Sequence, residues 1–232
     1  MIVSHKHRFI FFSNPKTGSE SVRSLLEGFQ EVEVIPFRIH KSESVFYPHM
    51  SPLEAKKAFR ERGWDFNDYF KFVFTRNPYA RLPSIYEMIK RSRDSKTELG
   101  LKRRVMLTLS RPKPYKGKLE FKYWLETIET SAKGGGGLDS DRWRKYGTYT
   151  LNSYVSDING KRLVDSVIRL EYVSHELPIV FDKIGLPKAL AEQLPHVNKH
   201  GTKPYSTYYD SESRLIVANK YRVDIKEFGY KF

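Results

Sequence analysis

The sequence predicts an α/β protein, a single domain over residues 1–232 with a central parallel β-sheet flanked by helices. Two observations carry this expectation. A buried-strand run passes through a short loop into an amphipathic helix, and that order occurs twice, over residues 8–29 and again over 70–89. Such alternation builds a parallel sheet covered by helices, and ligands of such sheets collect at the carboxyl ends of the strands. Nothing divides the chain: 232 residues suffice for one sizeable core, with no internal repeat and no Pro/Ser-rich linker.

Residues 8–12 form a continuous apolar run, the pattern of a central strand covered on both faces. After the loop, Val22, Leu25, Leu26 and Phe29 recur at i, i+3, i+4 and i+7, on one helical face. Residues 32–36 are a second short strand candidate. Ser51 opens a helix over 52–62, with Pro52 at the first helical position and Glu54 completing a capping box. FKFVFT, 70–75, is the third strand. Asn77 then caps a helix with Pro78 as its first residue and Leu82, Ile85, Tyr86 and Ile89 as its buried stripe. Helices follow over 121–131 and 172–184, a strand over 166–170, and a last helix over 211–227 with Val217, Tyr221, Ile225 and Phe228 on one face. The four glycines 134–137 mark a flexible break.

Charge is the compositional outlier: 41 Lys plus Arg against 27 Asp plus Glu leave a net +14. Residues 90–118 hold 11 basic side chains and two acidic ones, Asp94 and Glu98, and so supply +9 of that total. A surface of this kind attracts polyanions without selecting among nucleic acid, anionic lipid and acidic polysaccharide. Cysteine is absent, which excludes disulfides and thiolate metal sites and suits a cytosol. No stretch approaches the ~18 apolar residues of a membrane span, and the N-terminal apolar run has the look of a core strand. The expected location is therefore cytoplasmic.

The two loops carry the chemistry. PKTGSES, 15–21, joins the first strand to the first helix, the arrangement that aims backbone N–H groups and the positive end of a helix dipole at one small volume. Lys16 precedes Gly18 by two residues, whereas a Walker A motif needs Lys directly after its last glycine. From this loop alone, a phosphate cradle and an inert Gly turn are both open. In the second loop Arg76 stands at the strand end and Ser84 eight residues on, a guanidinium fork and a hydroxyl able to meet a second phosphate.

PKTGSES followed by FVFTRNPYARLPSIY resembles the paired nucleotide-binding motifs of sulfotransferases that use 3′-phosphoadenosine-5′-phosphosulfate, PAPS, and most closely the carbohydrate-type group often called sulfotransferase family 2. LVDSVIRLE, with Asp165, Arg169 and Glu171, resembles that family's Asp-x-x-x-Arg-x-Glu strand, and LPHVNKHGTKPYSTYYD through DIKEFGY resembles its C-terminal segment. The resemblance implies a P-loop-like sulfotransferase domain over the whole chain. It implies that Lys16, Thr17, Gly18, Ser19, Glu20 and Ser21 wrap the 5′-phosphosulfate, that Arg76 and Ser84 hold the 3′-phosphate, and that Lys16 stabilises the leaving oxygen. PAPS is then a co-substrate, released as adenosine 3′,5′-bisphosphate, and no metal is invoked. His49 in YPHMSPLE is the general base by the same likeness, with Glu20 a competing base and His40 a weaker one.

Three positions depart from the family's pattern. Glu20 places a carboxylate where relatives have a small hydroxyl residue, Pro83 removes a backbone donor just before Ser84 and should kink the helix, and His200 stands where many relatives have Ser or Thr. Trp124 and Trp143 are either helix-packing residues or stacking surfaces for a ring. The expected reaction is sulfuryl transfer from PAPS to an acceptor hydroxyl, on a carbohydrate. Two alternatives stay open: an ATP-dependent phosphotransferase, against which the missing Walker lysine counts, and a non-catalytic polyanion- or nucleic-acid-binding module using residues 90–118.

Overall fold

A computed structural model of the chain describes residues 1–35, 46–94, 118–130, 147–195 and 203–232. Among the described residues, four strands form one sheet in the order β1 (Ile2–Ser4), β2 (Phe9–Phe12), β3 (Phe70–Thr75) and β4 (Ser166–Arg169). β1 and β2 are an antiparallel hairpin with Val3 opposite Ile10, while β2, β3 and β4 run parallel, Phe12 opposite Val73 and Thr75 opposite Arg169. The carboxyl ends of the three parallel strands therefore open onto one edge of the sheet. The α/β class and the parallel core are as the residues predict, and the 8–12 run is the strand β2; β1, over Ile2–Ser4, is a further strand that the sequence reading did not include.

The period-2 alternation of the strands divides the core in two. Phe9, Phe11, Phe72, Phe74 and Ile168 face Val22 and Leu26 of helix α1 (Ser19–Leu26), and Leu177 and Phe181 of a later helix, Val173–Lys183. Ile10, Phe12 and Val73 point the other way, onto Ala55, Ala58 and Phe59 of α2 (Pro52–Glu61) and onto Leu151 and Tyr154. All of these side chains are buried, so the sheet is covered on both faces, and each core Phe is worth about 3–5 kcal/mol on truncation to Ala. The alternation explains why the strands are runs of Phe, Ile and Val rather than alternating polar and apolar residues.

Helix α2 starts as read: Ser51 Oγ accepts from Glu54 N, and the Glu54 carboxylate accepts from Ser51 N at 2.9 Å. α3 runs over Pro78–Asp94 from Asn77, whose Oδ1 accepts from Tyr79 N at 3.0 Å. Leu82, Ile85 and Tyr86 of α3 meet Phe121 and Leu125 of α4 (Lys118–Thr127), forming a third cluster with Val217 and Tyr221. Trp124 packs there against Tyr86 and Phe121, with ring centroids 5.5 and 5.8 Å away. Beyond it come α5 (Leu151–Val155), α6 (Val173–Lys183), α7 (Ser211–Lys220) and α8 (Arg222–Phe228).

Two expectations are corrected. Residues 32–35 form no strand; Glu31 N donates to Val3 O at 3.0 Å and Gln30 Oε1 accepts from Val3 N at 3.1 Å. The chain thus covers the outer edge of β1 at one residue and then leaves it, too briefly for a ladder. The last helix is not continuous over 211–227 but breaks at Tyr221, with φ −112° and ψ 20°. With that turn both Tyr221 and Asp224 reach one segment: the Tyr221 hydroxyl donates to Thr148 O, and the Asp224 carboxylate accepts from Leu151 N at 2.6 Å and Asn152 N at 3.2 Å.

Pro83 does not end α3, and the reason lies across the third cluster. Proline has no N–H for the carbonyl four residues back, that of Tyr79. The buried Tyr209 hydroxyl donates to Tyr79 O at 3.0 Å instead. Burial pushes this phenol well above its ordinary pKa and keeps it a donor. Tyr209→Phe should cost about 1–3 kcal/mol in denaturant unfolding, and Pro83→Ala in the same chain, by restoring an N–H, should recover about 1 kcal/mol.

Candidate active site at the carboxyl edge of the sheet

β2 ends at Phe12, and the chain turns through residues 13–18 before α1 begins at Ser19. Two residues of this loop are left-handed: Gly18 at φ 79° and Lys16 at φ 62°. Alternation of left- and right-handed residues turns successive N–H groups to one side, a concavity suited to anions. Gly18 is the N-cap of α1 and supplies no side-chain cap, so the first-turn amides have no acceptor from their own cap. A Cβ on Gly18 would lie 2.7 Å from Leu170 Cδ1 of the neighbouring crossing.

The loop is held from below. Asn14, fully buried, donates from Nδ2 to Phe74 O at 3.1 Å, and Thr17 Oγ1 donates to Asn14 O at 2.8 Å. Arg81, on α3 and 3% exposed, donates from Nε to Pro15 O at 3.2 Å, from Nη2 to Asn14 Oδ1 at 3.0 Å and from Nη1 to Tyr149 O at 3.1 Å. Ser19 and Ser21 are buried beside the loop, whereas Glu20 between them is exposed. The turn of the helix thus carries the Glu20 carboxylate to solvent, where a first-turn acid is favoured by the dipole. That removes the difficulty of a buried carboxylate beside an anion.

Arg76 follows β3 and reaches across to the loop, Nη1 donating to Lys16 O at 3.5 Å. Burial lowers its pKa from the ordinary value; the Glu171 carboxylate opposes the shift, and the like charge of Arg81 adds to it. Two guanidiniums and the Lys16 residue therefore gather at one edge of the sheet, an arrangement that favours an anion. Ser84 is half-buried on α3, three residues after Arg81 and so on a neighbouring face.

His49 meets the same loop from another direction. Its Nδ1 lies 2.6 Å from Ser13 O. A carbonyl only accepts, so the neutral ring carries its proton on Nδ1 and its lone pair on Nε2. Tyr154 OH donates to the adjacent Met50 O at 2.9 Å, and its ring stacks on Tyr149 at 4.9 Å.

The Asp165, Arg169 and Glu171 set knits the sheet edge together. Asp165 accepts from Lys71 N at 2.7 Å and pairs with Lys71 Nζ at 3.0 Å; Arg169 Nε donates to Glu176 at 2.7 Å; Glu171 accepts from Asn77 N at 2.8 Å. The sequence matches the Sulfotransferase family over residues 1–231. The chain belongs to that family. A 92-residue stretch is 36% identical to Carbohydrate sulfotransferase 10 of Xenopus laevis, covering 38% of this chain and 25% of the relative. The same-named protein of Danio rerio is 32% identical over 92 residues, 38% of this chain and 24% of its own length. Carbohydrate sulfotransferase 14 of Danio rerio is 29% identical over 90 residues, 37% of this chain and 23% of its own. The similarity to these relatives thus spans about a quarter of each of them.

Within this sulfotransferase fold, Lys16, Thr17, Gly18, Ser19, Ser21, Arg76 and His49, all named from the sequence, lie around one loop. Arg81, Asn14 and Tyr149 were not singled out, although RNPYAR places Arg81 one turn beyond Asn77 on the helix that leaves the second loop. His40, Trp143, the 134–137 glycines, the basic stretch beyond residue 94 and the loop with Asn198 and His200 lie outside the described residues. Among the described residues no helix is long and apolar enough to cross a membrane.

The geometry at Gly18 is testable against an internal control. The Leu170 methyl ends a flexible side chain and can move aside, but the left-handed φ cannot change. Gly18→Ala should lower stability by about 1–2 kcal/mol in urea unfolding. Gly28→Ala, with nothing within 4 Å of the added methyl, should be neutral or stabilise by up to about 1 kcal/mol.

Proposed function

We propose that this chain transfers a sulfuryl group from PAPS to a hydroxyl of a carbohydrate acceptor. The observation that carries the reading is the meeting of Arg76 with the Lys16 loop, 60 residues apart in sequence, at the edge where three parallel strands end. Two cationic loops converging there suit a donor with two separated phosphates. Family membership supports sulfuryl transfer, and the names of the relatives support a carbohydrate acceptor.

The residues present fit such a donor. The left-handed Lys16 and Gly18, the first-turn amides of α1 and the hydroxyls of Thr17, Ser19 and Ser21 receive the 5′-phosphosulfate, while Arg76 and Ser84 receive the 3′-phosphate. In the transfer the acceptor oxygen bonds to sulfur as its proton passes to His49 Nε2. The sulfur–oxygen bond to the nucleotide phosphate breaks, and its electron pair stays on that phosphate beside the Lys16 ammonium. Like phosphoryl transfer, this needs positioning and electrostatics more than covalent assistance from the protein. The Ser13 carbonyl holds the His49 ring in the tautomer a base requires.

Adenosine 3′,5′-bisphosphate at a hundredfold excess over its Kd should stabilise the protein by about 2.7 kcal/mol, a rise in Tm of about 5–10 °C, and ATP should not. A shift with ATP alone would overturn the reading. Lys16→Ala should reduce kcat for transfer from labelled PAPS by about 10²–10³, and Arg76→Ala should reduce kcat/KM for the donor by about 10², each with unfolding unchanged. Unaltered transfer in both variants rejects the site. His49→Ala should leave the bisphosphate shift intact and cut kcat by at least ~10²; activity within about tenfold of the parent sinks the base assignment.

A further inference from the structure

We propose that Arg81 is a positioning residue that keeps the 13–18 loop in its anion-receiving shape without touching the donor. The inference rests on the reading of that loop as the donor-phosphate site. Its starting point is the peptide between Pro15 and Lys16. In a trans peptide the C=O and N–H point to opposite sides. Arg81 Nε holds the Pro15 carbonyl at 3.2 Å beneath the loop, and so turns the Lys16 N–H to the other side. Arg76, through the Lys16 carbonyl, does the same for the Thr17 N–H. The two arginines thus divide the work: Arg76 bonds to the loop from the β3 end, and Arg81 fixes it from below.

The loop needs such a hold. Lys16 is a non-glycine residue at φ 62°, a conformation that persists only where the surroundings impose it. All three nitrogens of the Arg81 fork are committed, two to the loop and one to Tyr149 O, and the side chain is buried. A planar fork reaches separated acceptors from three different nitrogens, whereas an ammonium has all three donors on one. The third contact ties the loop to the segment that supports His49. Tyr149 stacks on Tyr154, whose hydroxyl holds Met50 O, while His49 itself is anchored on Ser13 O. Gly147 reinforces the same junction, since a Cβ there would lie 3.0 Å from Pro15 Cβ. The Asp224 carboxylate interacts with the Arg81 charge, so the cation is not stranded in the interior.

The test compares Arg81→Lys with the parent in two measurements. In amide hydrogen exchange of the unliganded protein, residues 16–21 should exchange about tenfold faster or more while β2 and β3 keep their protection. In calorimetric titration, affinity for adenosine 3′,5′-bisphosphate should fall about tenfold or more, with affinity for adenosine 3′-monophosphate within about twofold of the parent. Loop exchange equal to the parent's, or equal loss of both nucleotides, overturns the proposal. Should Arg81→Lys not fold, Asn14→Ser removes one of the three acceptors and keeps the guanidinium. It should give the same loop-selective pattern at smaller amplitude, and parental exchange in its loop overturns the proposal equally. If the parent binds neither nucleotide, the donor reading fails while the exchange measurement still decides the role of Arg81.

Discussion

The parallel register of β2 against β3 is the constraint on which the site depends. Phe12, the last residue of β2, pairs with Val73, two residues before the end of β3, so that Asn14 on one side and Arg76 on the other start from neighbouring points. Asn14 Nδ2 bonds Phe74 O across the same pair and extends the ladder by a side chain where the backbones diverge. A shift of that register by one residue exchanges the two core faces, because Phe9, Phe11, Phe72 and Phe74 fill one and Ile10, Phe12 and Val73 the other. Core packing therefore sets the distance between the two cationic loops. The chemistry is built on a hydrophobic constraint.

Above that frame the site is organised by buried donors rather than by flexible surface charge. Arg81, Asn14 and Thr17 spend their hydrogen bonds on the loop from within the protein, and Tyr209 does so for the carbonyl that Pro83 leaves without a helical donor. Each of these groups is costly to bury alone and inexpensive once paired, which is why they occur as connected sets. The first-turn amides of α1 and the positive end of its dipole stand above this braced loop, where an anion is favoured. The exposed Glu20 fits the same division: helix geometry sends its carboxylate away from the loop while its backbone N–H stays with the first turn.

Much of this was legible in the chain, and the legible part is local. The capping box at Ser51, the Asn77 cap and the β3 strand follow from residues within a few positions of one another, and they stand where the pattern puts them. The loop residues and Arg76 were legible because their order carries chemistry. What was missed spans long separations. Nothing around residue 3 announces that Gln30 and Glu31 will cover the edge of β1, so residues 32–35 read as a strand by propensity alone. Nothing around residue 221 announces that Tyr221 and Asp224 must both meet residues 148–152, so the last helix read as unbroken. Arg81 went unmarked, because its three acceptors lie 66 to 68 residues away.

By itself, then, the sequence determined the α/β class, the strand, loop and helix units, and the identity of the residues offered to an anion, since each is written in spacings of a few residues and in backbone preferences that act locally. The tertiary structure alone decided which of these meet. It set the Arg76 contact with Lys16, the tautomer of His49 through Ser13, the outward turn of Glu20, and the burial of Arg81 against Pro15, Asn14 and Tyr149. Those outcomes depend on through-space distances fixed by packing of the whole core, and no local pattern encodes them.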